Sequence, residues 1–362
     1  MPELPEVEAA RALLEAELLG RTIESVTATE SGGGPRTGLH DDVVFSEDKK
    51  YAGRYTYSAN TVRAALSGKK LVAVRRRGKQ LWLELSSPPH LLAHFGMTGS
   101  FVVRGVAPLA YQEFKVHDEQ WPPRFTKLEL GFSGDARLAF CDPRRIGRLR
   151  LRDSPEEEEP WRSLAPDALT HPIGVNRALE ACASCAGPIK SLLLDQEQLV
   201  SGVGNWVADE VLFQARLHPA ASAASLSDHQ VREMHRALNA VVREAVRCSA
   251  DSKRFPTGWL FHYRWSKGRA NGAAVPGVGR IDFVQVGGRT SAVVSSVQRK
   301  GERDRQQRNT PADPKKHTNK AGKAKAVKQK LKAKPEAKRG RSPAEPDCLE
   351  ARRSVRLRRA SA

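Results

Sequence analysis

Cysteine is scarce: five residues scattered through 362, an odd number without the regular spacing of a secreted disulfide scaffold. No apolar stretch at the amino end reads as a secretory signal, so the expectation is a reducing compartment and no disulfides. Long hydrophobic runs are missing as well. Nothing approaches the ~20 apolar residues of a spanning helix, and a mean hydropathy of −0.51 points to a soluble protein with no membrane partner. Negative charge is in short supply, with 41 Asp+Glu against 60 Lys+Arg, a net +19 and a pI near 10.0. At roughly 150 residues per domain, the length predicts two or three domains.

The excess of positive charge is concentrated. From Arg299 to Ala362 there are 22 Lys+Arg and 7 Asp+Glu, a net +15, which leaves +4 for everything before. That tail has almost no large apolar residues and several prolines, so it cannot bury enough surface to offset the entropy of ordering. Residues 299–362 are therefore expected to be disordered. Their Lys/Arg runs would bind phosphate backbones non-specifically through counterion release, or engage nuclear import factors.

The rest has a mixed α+β, multidomain pattern. Residues 3 to 19 place Val7, Ala10, Leu14 and Leu18 at helical spacing, with acidic residues near the start, where the helix dipole favours them. From Thr22 to Leu151 short β-rich runs (TIESVTA, KLVAVRRR, KQLWLELS, FTKLELGF, ARLAFCD, GRLRLR) alternate with turn residues, the pattern of an antiparallel sandwich or barrel. The expected division is an amino-terminal domain over 1–152, a linker over 153–172 opened by DSPEEEEPW, and a helical domain over 173–252. Residues 253–298 follow as a hairpin unit, in which Gly287-Gly288 joins two β runs in a tight turn. A hairpin with so little core of its own must dock on something or be braced.

The first eight residues, MPELPEVE, carry the strongest chemical signal. With Met1 removed, Pro2 presents a secondary amine, and an α-amino pKa of ~7.7 to 8.0 leaves a useful fraction neutral and nucleophilic. Such an amine can attack a sugar C1′ and form an iminium. Glu3 adjoins it and Glu6 lies one turn further on, so both carboxylates can stay close to the amine as proton donor or acceptor. Spacing alone equally allows two prolines that open a helix and two carboxylates that complement its dipole.

Together with four downstream blocks, this start resembles formamidopyrimidine-DNA glycosylase, of the Fpg/Nei family of base-excision repair enzymes. The blocks are RRRGKQLWLEL at 75 to 85, HFGMTGS at 94 to 100, DPRRIG at 142 to 147, and IKSLLLDQEQLVSGVGNWVADEVLFQARLHP at 189 to 219. The resemblance spans roughly residues 1 to 298, and the segment DSKRFPTGWLFHYRWSKG with its Cys-free hairpin is similar to the plant and algal branch. It implies an N-terminal helix plus antiparallel β-sandwich, a helix-two-turns-helix domain and a zinc-free β-hairpin finger. The implied activity is that of a bifunctional glycosylase and abasic-site lyase on damaged double-stranded DNA, with β,δ-elimination.

By the same resemblance Pro2 is the nucleophile, Glu3 the general acid and base, and Glu6 their support. Lys79 and Arg289 reach the phosphates at the lesion. Met97, Arg144 and Ile146 fill the gap left by an everted base, with Arg145 beside them; bacterial members have Phe where this chain has Ile146, which stacks less well on a base. Lys190, Gly204 and Asn205 match positions at the DNA, the glycine letting backbone amides approach a phosphate at a helix start. No cofactor is expected. Bacterial members brace the hairpin with four Cys and zinc, whereas residues 253–298 hold no Cys and His262 as their one imidazole. Cys182 and Cys185 have ligand-like spacing without a second pair.

Two other readings compete with the leading one: a non-catalytic nucleic-acid-binding protein, since the helical motif also occurs in ribosomal proteins, and a relative that recognises damage after losing the chemistry. Pro2, Glu3 and Lys79 at matching places speak against the first. A monomer is expected. A chain opening directly on MPELPEVE, with a basic tail, is expected in the nucleus.

Overall fold

The structure, a computed structural model, describes residues 2–28, 58–111, 121–265 and 273–300. Except for Arg299 and Lys300, the tail expected to be disordered lies outside the described residues.

Helix α1 (Leu4–Leu18) starts at Glu3, whose backbone N–H donates to the Glu6 carboxylate one turn on (2.9 Å). Its apolar face serves two cores. Val7, Ala10, Leu14 and Leu18 pack into the core of the amino-terminal sheets, whereas Leu4 packs into the core of the helical region. Burying a leucine side chain is worth roughly 1.5–3 kcal/mol, so this helix start is fixed from both sides.

Two four-stranded antiparallel sheets follow, forming the β-sandwich. One has the order β1 (Ile23–Thr27), β6 (Thr126–Phe132), β7 (Ala136–Cys141), β5 (Ser100–Val103). The other runs β2 (Leu71–Arg77), β3 (Gln80–Leu85), β4 (His90–His94), β8 (Arg148–Arg152). Their shared core includes Phe95, Phe101 and Phe140, which meet edge-on or tilted with centroids 5.2 to 6.2 Å apart. Among the described residues of the span read as β-rich runs lies a helix, α2 (Ala59–Leu66). Its start is set by Ser58, whose hydroxyl accepts from the Thr61 N–H at 3.0 Å.

Residues 153–172, expected to be a linker, contain no helix or strand, yet they are packed: Trp161, Leu164, Asp167 and Ala168 are buried, and Trp161 meets Trp82 edge-on at 5.5 Å. The helical region comprises α3 (Val175–Ser184), α4 (Ile189–Leu194), α5 (Asn205–Gln214) and α6 (Asp228–Arg247). Helix α6 begins with a reciprocal Ser227 and Gln230 cap.

Last comes a three-stranded sheet in the order β11 (Arg289–Val293), β10 (Gly279–Val286), β9 (Ala273–Val275). Its β11 is shorter than the β-type run that the sequence shows from Arg289 to Val297, because residues 295–297 turn. The bracing that the sequence left open is apolar: Ile281, Ala292 and Val294 pack with Phe213 of α5 and Leu260. Among the described residues no helix is long and apolar enough to cross a membrane.

Candidate active site and nucleic-acid interface

Pro2, Glu3 and Glu6 are buried together at the start of α1. The Glu3 carboxylate lies on the first free backbone amides of α5, accepting from Trp206 N (2.9 Å) and Val207 N (3.0 Å). Burial raises its pKa, opposed by Lys79, by those two N–H groups and by Arg264. Glu6 accepts from the Trp206 indole N–H (3.0 Å), and burial together with the charge of Glu3 pushes its carboxyl up to about 7.

This placement changes the reading of Gly204. A Cβ there would lie 2.2 Å from the Glu3 carboxyl carbon, so the glycine makes room for Glu3 rather than for a phosphate. The anion at this helix start is the protein's own carboxylate.

Lys79 sits at the turn between β2 and β3. The preceding Gly78 has φ +58°, and a Cβ on it would press on Ser201 at 2.9 Å, which fixes the turn against the loop leading into α5. Asp167 accepts from the Gly78 N–H (2.6 Å) and from the buried Arg76 guanidinium, which also reaches Glu8 at 2.7 Å. The Lys79 side chain is half-buried. Burial lowers its pKa, Glu3 opposes that, and Arg289 adds to it, so the ammonium lies within electrostatic reach of both. Arg289 itself is exposed, next to the Gly287-Gly288 turn.

Lys190 departs from expectation. Its ammonium is fully buried, 2.6 Å from Asp209 Oδ1 and 2.6 Å from Ser291 Oγ, so it ties α4 to α5 and to β11 and presents no surface to a nucleic acid. Asp209 is the hub. Its second oxygen accepts from Arg264 (2.6 Å) and from the Ala292 N–H (3.1 Å), joining α5, the 253–265 segment and the hairpin. Asn205 donates an amide hydrogen to Thr290 O (3.2 Å). Sequence reasoning missed Asp209, Arg264, Asp167 and Asp142, because each works through partners that the local sequence pattern does not reveal.

Next to this hub, Glu210 of α5 is buried and accepts from the Phe261 N–H (2.8 Å) and from Gln214 (2.8 Å), and burial pushes its pKa from 4.5 up to about 7. A carboxyl whose folded pKa is raised stabilises the fold fully below pH 4.5, and that contribution is lost as pH rises towards 7. Glu210→Gln should therefore raise the melting temperature by about a few degrees at pH 8 and leave it nearly unchanged at pH 4. Calorimetry at the two pH values checks this; an equal shift at both would refute it.

Met97, Arg144, Arg145 and Ile146 lie on two loops stapled by buried Asp142. Its Oδ1 accepts from Thr98 Oγ1 (2.7 Å) and Arg144 N (3.1 Å), and its Oδ2 from Ile146 N (2.8 Å) and Gly147 N (2.7 Å). A Cβ on Gly96 would fall 2.6 Å from the Ile146 carbonyl carbon, so the loops are in van der Waals contact. Arg144 and Ile146 are exposed, the latter by 39%, whereas Met97 and Arg145 are half-buried. The structure thus brings the four together on adjoining loops.

The zinc of bacterial relatives finds no ligands here. The Nε2 of His262 lies 3.2 Å from Pro256 O and 3.4 Å from Phe255 O, with no thiol in the unit. Such a set does not fit tetrahedral zinc. Cys182 is buried in the helical core and Cys185 half-buried beside it, and among the described residues no cluster of three or more His, Cys, Asp or Glu stands ready for a metal.

A carboxyl-bearing helix start thus faces a glycine-rich turn with a hairpin alongside, and the comparisons with known proteins say to which family this arrangement belongs. The formamidopyrimidine-DNA glycosylase N-terminal domain matches residues 1–149, and the family's H2TH domain matches residues 164–257. The formamidopyrimidine-DNA glycosylase of Arabidopsis thaliana is 39% identical over 300 residues, covering 83% of this chain and 71% of that protein. That of Thermus thermophilus is 36% identical over 248 residues, 68% of this chain and 76% of the relative. The crystal structure of T. thermophilus MutM (Fpg) aligns over 83% of this chain and all of its own, with 31% identity and a TM-score of 0.60. The Lactococcus lactis enzyme, bound non-covalently to DNA containing an abasic site, aligns over the same shares with a TM-score of 0.63; at 23% identity it shows the shared fold. This chain belongs to the formamidopyrimidine-DNA glycosylase family.

Proposed function

We propose that this DNA glycosylase and abasic-site lyase of base-excision repair works through Pro2, freed by removal of Met1. The Pro2 nitrogen lone pair forms the bond to C1′ of the damaged nucleotide as the glycosidic C–N bond breaks. Glu3, held partly towards its neutral form by burial, gives the proton that the sugar and the departing base require, and Glu6 shares the site. Loss of the amine proton and cleavage of the C1′–O4′ bond, with Glu3 protonating O4′, turn this adduct into an iminium, which acidifies the C2′ hydrogens; loss of one expels the 3′ phosphate, and a further elimination expels the 5′ phosphate. Lys79 and Arg289 hold the phosphates at the lesion, as does Asn205. The exposed surface of Arg144 and Ile146, with Met97 and Arg145, fills the space that an everted base leaves.

One observation carries this reading: the Glu3 carboxylate, adjoining the would-be nucleophile, is buried and held by two α5 amides within the field of Lys79. The test is borohydride trapping on an abasic duplex, using protein lacking Met1, with the attachment site mapped by mass spectrometry. An adduct at Pro2 is expected. Binding to that duplex without any adduct would replace the enzyme with a damage-recognition protein.

The partner is damaged duplex DNA, engaged by a monomer, and the basic tail adds non-specific phosphate binding or contacts import factors in support of a nuclear location. Deleting residues 299–362 from a fluorescent fusion too large for passive entry should abolish nuclear accumulation; undiminished accumulation would count against it.

A further inference from the structure

The most exposed large apolar side chain among the described residues is Trp265, at 59%. An indole offers a broad π face to whatever it meets. Two separate contact chains lead from it to Glu3. In the first, the Arg264 guanidinium lies 4.5 Å from the ring centroid and is fixed by Asp209 at 2.6 Å, and its charge acts on Glu3. In the second, Phe261 meets Trp265 edge-on at 5.7 Å and meets Trp206 edge-on at 5.0 Å, and the Trp206 backbone N–H is bonded to Glu3.

The base of a nucleotide hangs directly on C1′, the atom that the amine attacks. An everted base must therefore occupy the space adjoining Glu3, the carboxylate to which both routes lead from the ring. Both neighbours of the ring are themselves held: Arg264 by Asp209, Phe261 by the Glu210 carboxylate at its backbone N–H (2.8 Å). The indole is thus supported by fixed groups while more than half of it stays open, the geometry of a stacking platform.

We propose that Trp265 stacks on the extruded base and biases excision towards planar damaged bases, such as ring-opened or oxidised purines, over puckered, ring-saturated pyrimidines. Arg264 on one side of the indole adds cation–π attraction and fixes its tilt. A planar base gains from such contact because every aromatic base offers a π face. A saturated ring has lost that face.

The inference rests on the proposed glycosylase reaction, and the experiment separates the two. Single-turnover excision is measured on duplexes carrying a formamidopyrimidine, a dihydropyrimidine or a preformed abasic site, for the wild type and for Trp265→Ala, Trp265→Leu and Trp265→Phe. Trp265→Ala and Trp265→Leu should slow release of the formamidopyrimidine about tenfold to a hundredfold. They should slow the dihydropyrimidine by less and leave cleavage and borohydride trapping at the abasic site unchanged, since that substrate has no base to stack. Trp265→Phe should recover most of the loss. Equal rates for Trp265→Ala and wild type on all three duplexes would overturn the platform, as would a uniform loss that includes the abasic site. Failure of the wild type itself to trap on the abasic duplex would instead refute the reaction.

Discussion

Glu3→Gln is expected to lower the rate of damaged-base excision by about 10²- to 10⁴-fold, the range contributed by a positioned general acid or base. The substitution keeps the size of the side chain but removes the transferable proton. It also unbalances the hydrogen bonds: the carboxylate accepts from both Trp206 N and Val207 N, whereas an amide offers one oxygen and turns an N–H₂ towards the other donor. A preformed abasic site should suffer less, because its sugar opens spontaneously to the aldehyde that the amine attacks. The measurement is single-turnover release from a lesion-bearing duplex alongside trapping on an abasic one. Excision by Glu3→Gln within about threefold of wild type would remove Glu3 from the role of acid.

Asp209→Ala is expected to destabilise the folded protein by about 3–5 kcal/mol, since it strands two buried cations at once. Lys190 and Arg264 each lie 2.6 Å from that carboxylate, with side-chain exposures of 0% and 5%. The Ala292 N–H of β11 loses its acceptor too. For a protein of this size such a loss lowers the melting temperature by about 10 °C, and the hairpin should be released first, visible as faster amide exchange over β10 and β11. An unchanged melting temperature would mean that water or a neighbouring group satisfies both cations. Exposed pairs such as Arg236 with Glu233 should change stability by less than about 1 kcal/mol when removed.

What could be read from the sequence, and what could not, follows from how local each signal is. Pro2, Glu3 and Glu6 are nearly consecutive and share one helical turn, but spacing alone left their role open; that role, like the one assigned to Lys79, came from the resemblance to a family. The apolar spacing of α1 forecast Val7, Ala10, Leu14 and Leu18 of its buried face, but not Leu4, which serves a second core, nor the burial of Pro5. Asp209 had no such signature: an acid in mid-helix looks solvated until Lys190, Ser291 and Arg264 are folded around it. The same limit misdirected Lys190, whose basic character suggested phosphate while its neighbours in space turned out to be a carboxylate and a hydroxyl. Residues 153–172 looked like a connector because Pro and Glu dominate their first half. Trp161 and Asp167 instead anchor them, and Asp167 positions the turn that carries Lys79. Helix α2 escaped notice because its eight residues show one short apolar stripe, Val62 and Leu66.

The Glu3 carboxylate is clasped by amides some two hundred positions downstream, so its environment is complete only after most of the polypeptide has emerged from the ribosome and folded. A nascent or truncated chain that ends before Trp206 carries the secondary amine without the environment that raises the pKa of its acid. Folding of the chain's first residues is thereby coupled to that of a helix start some two hundred positions away.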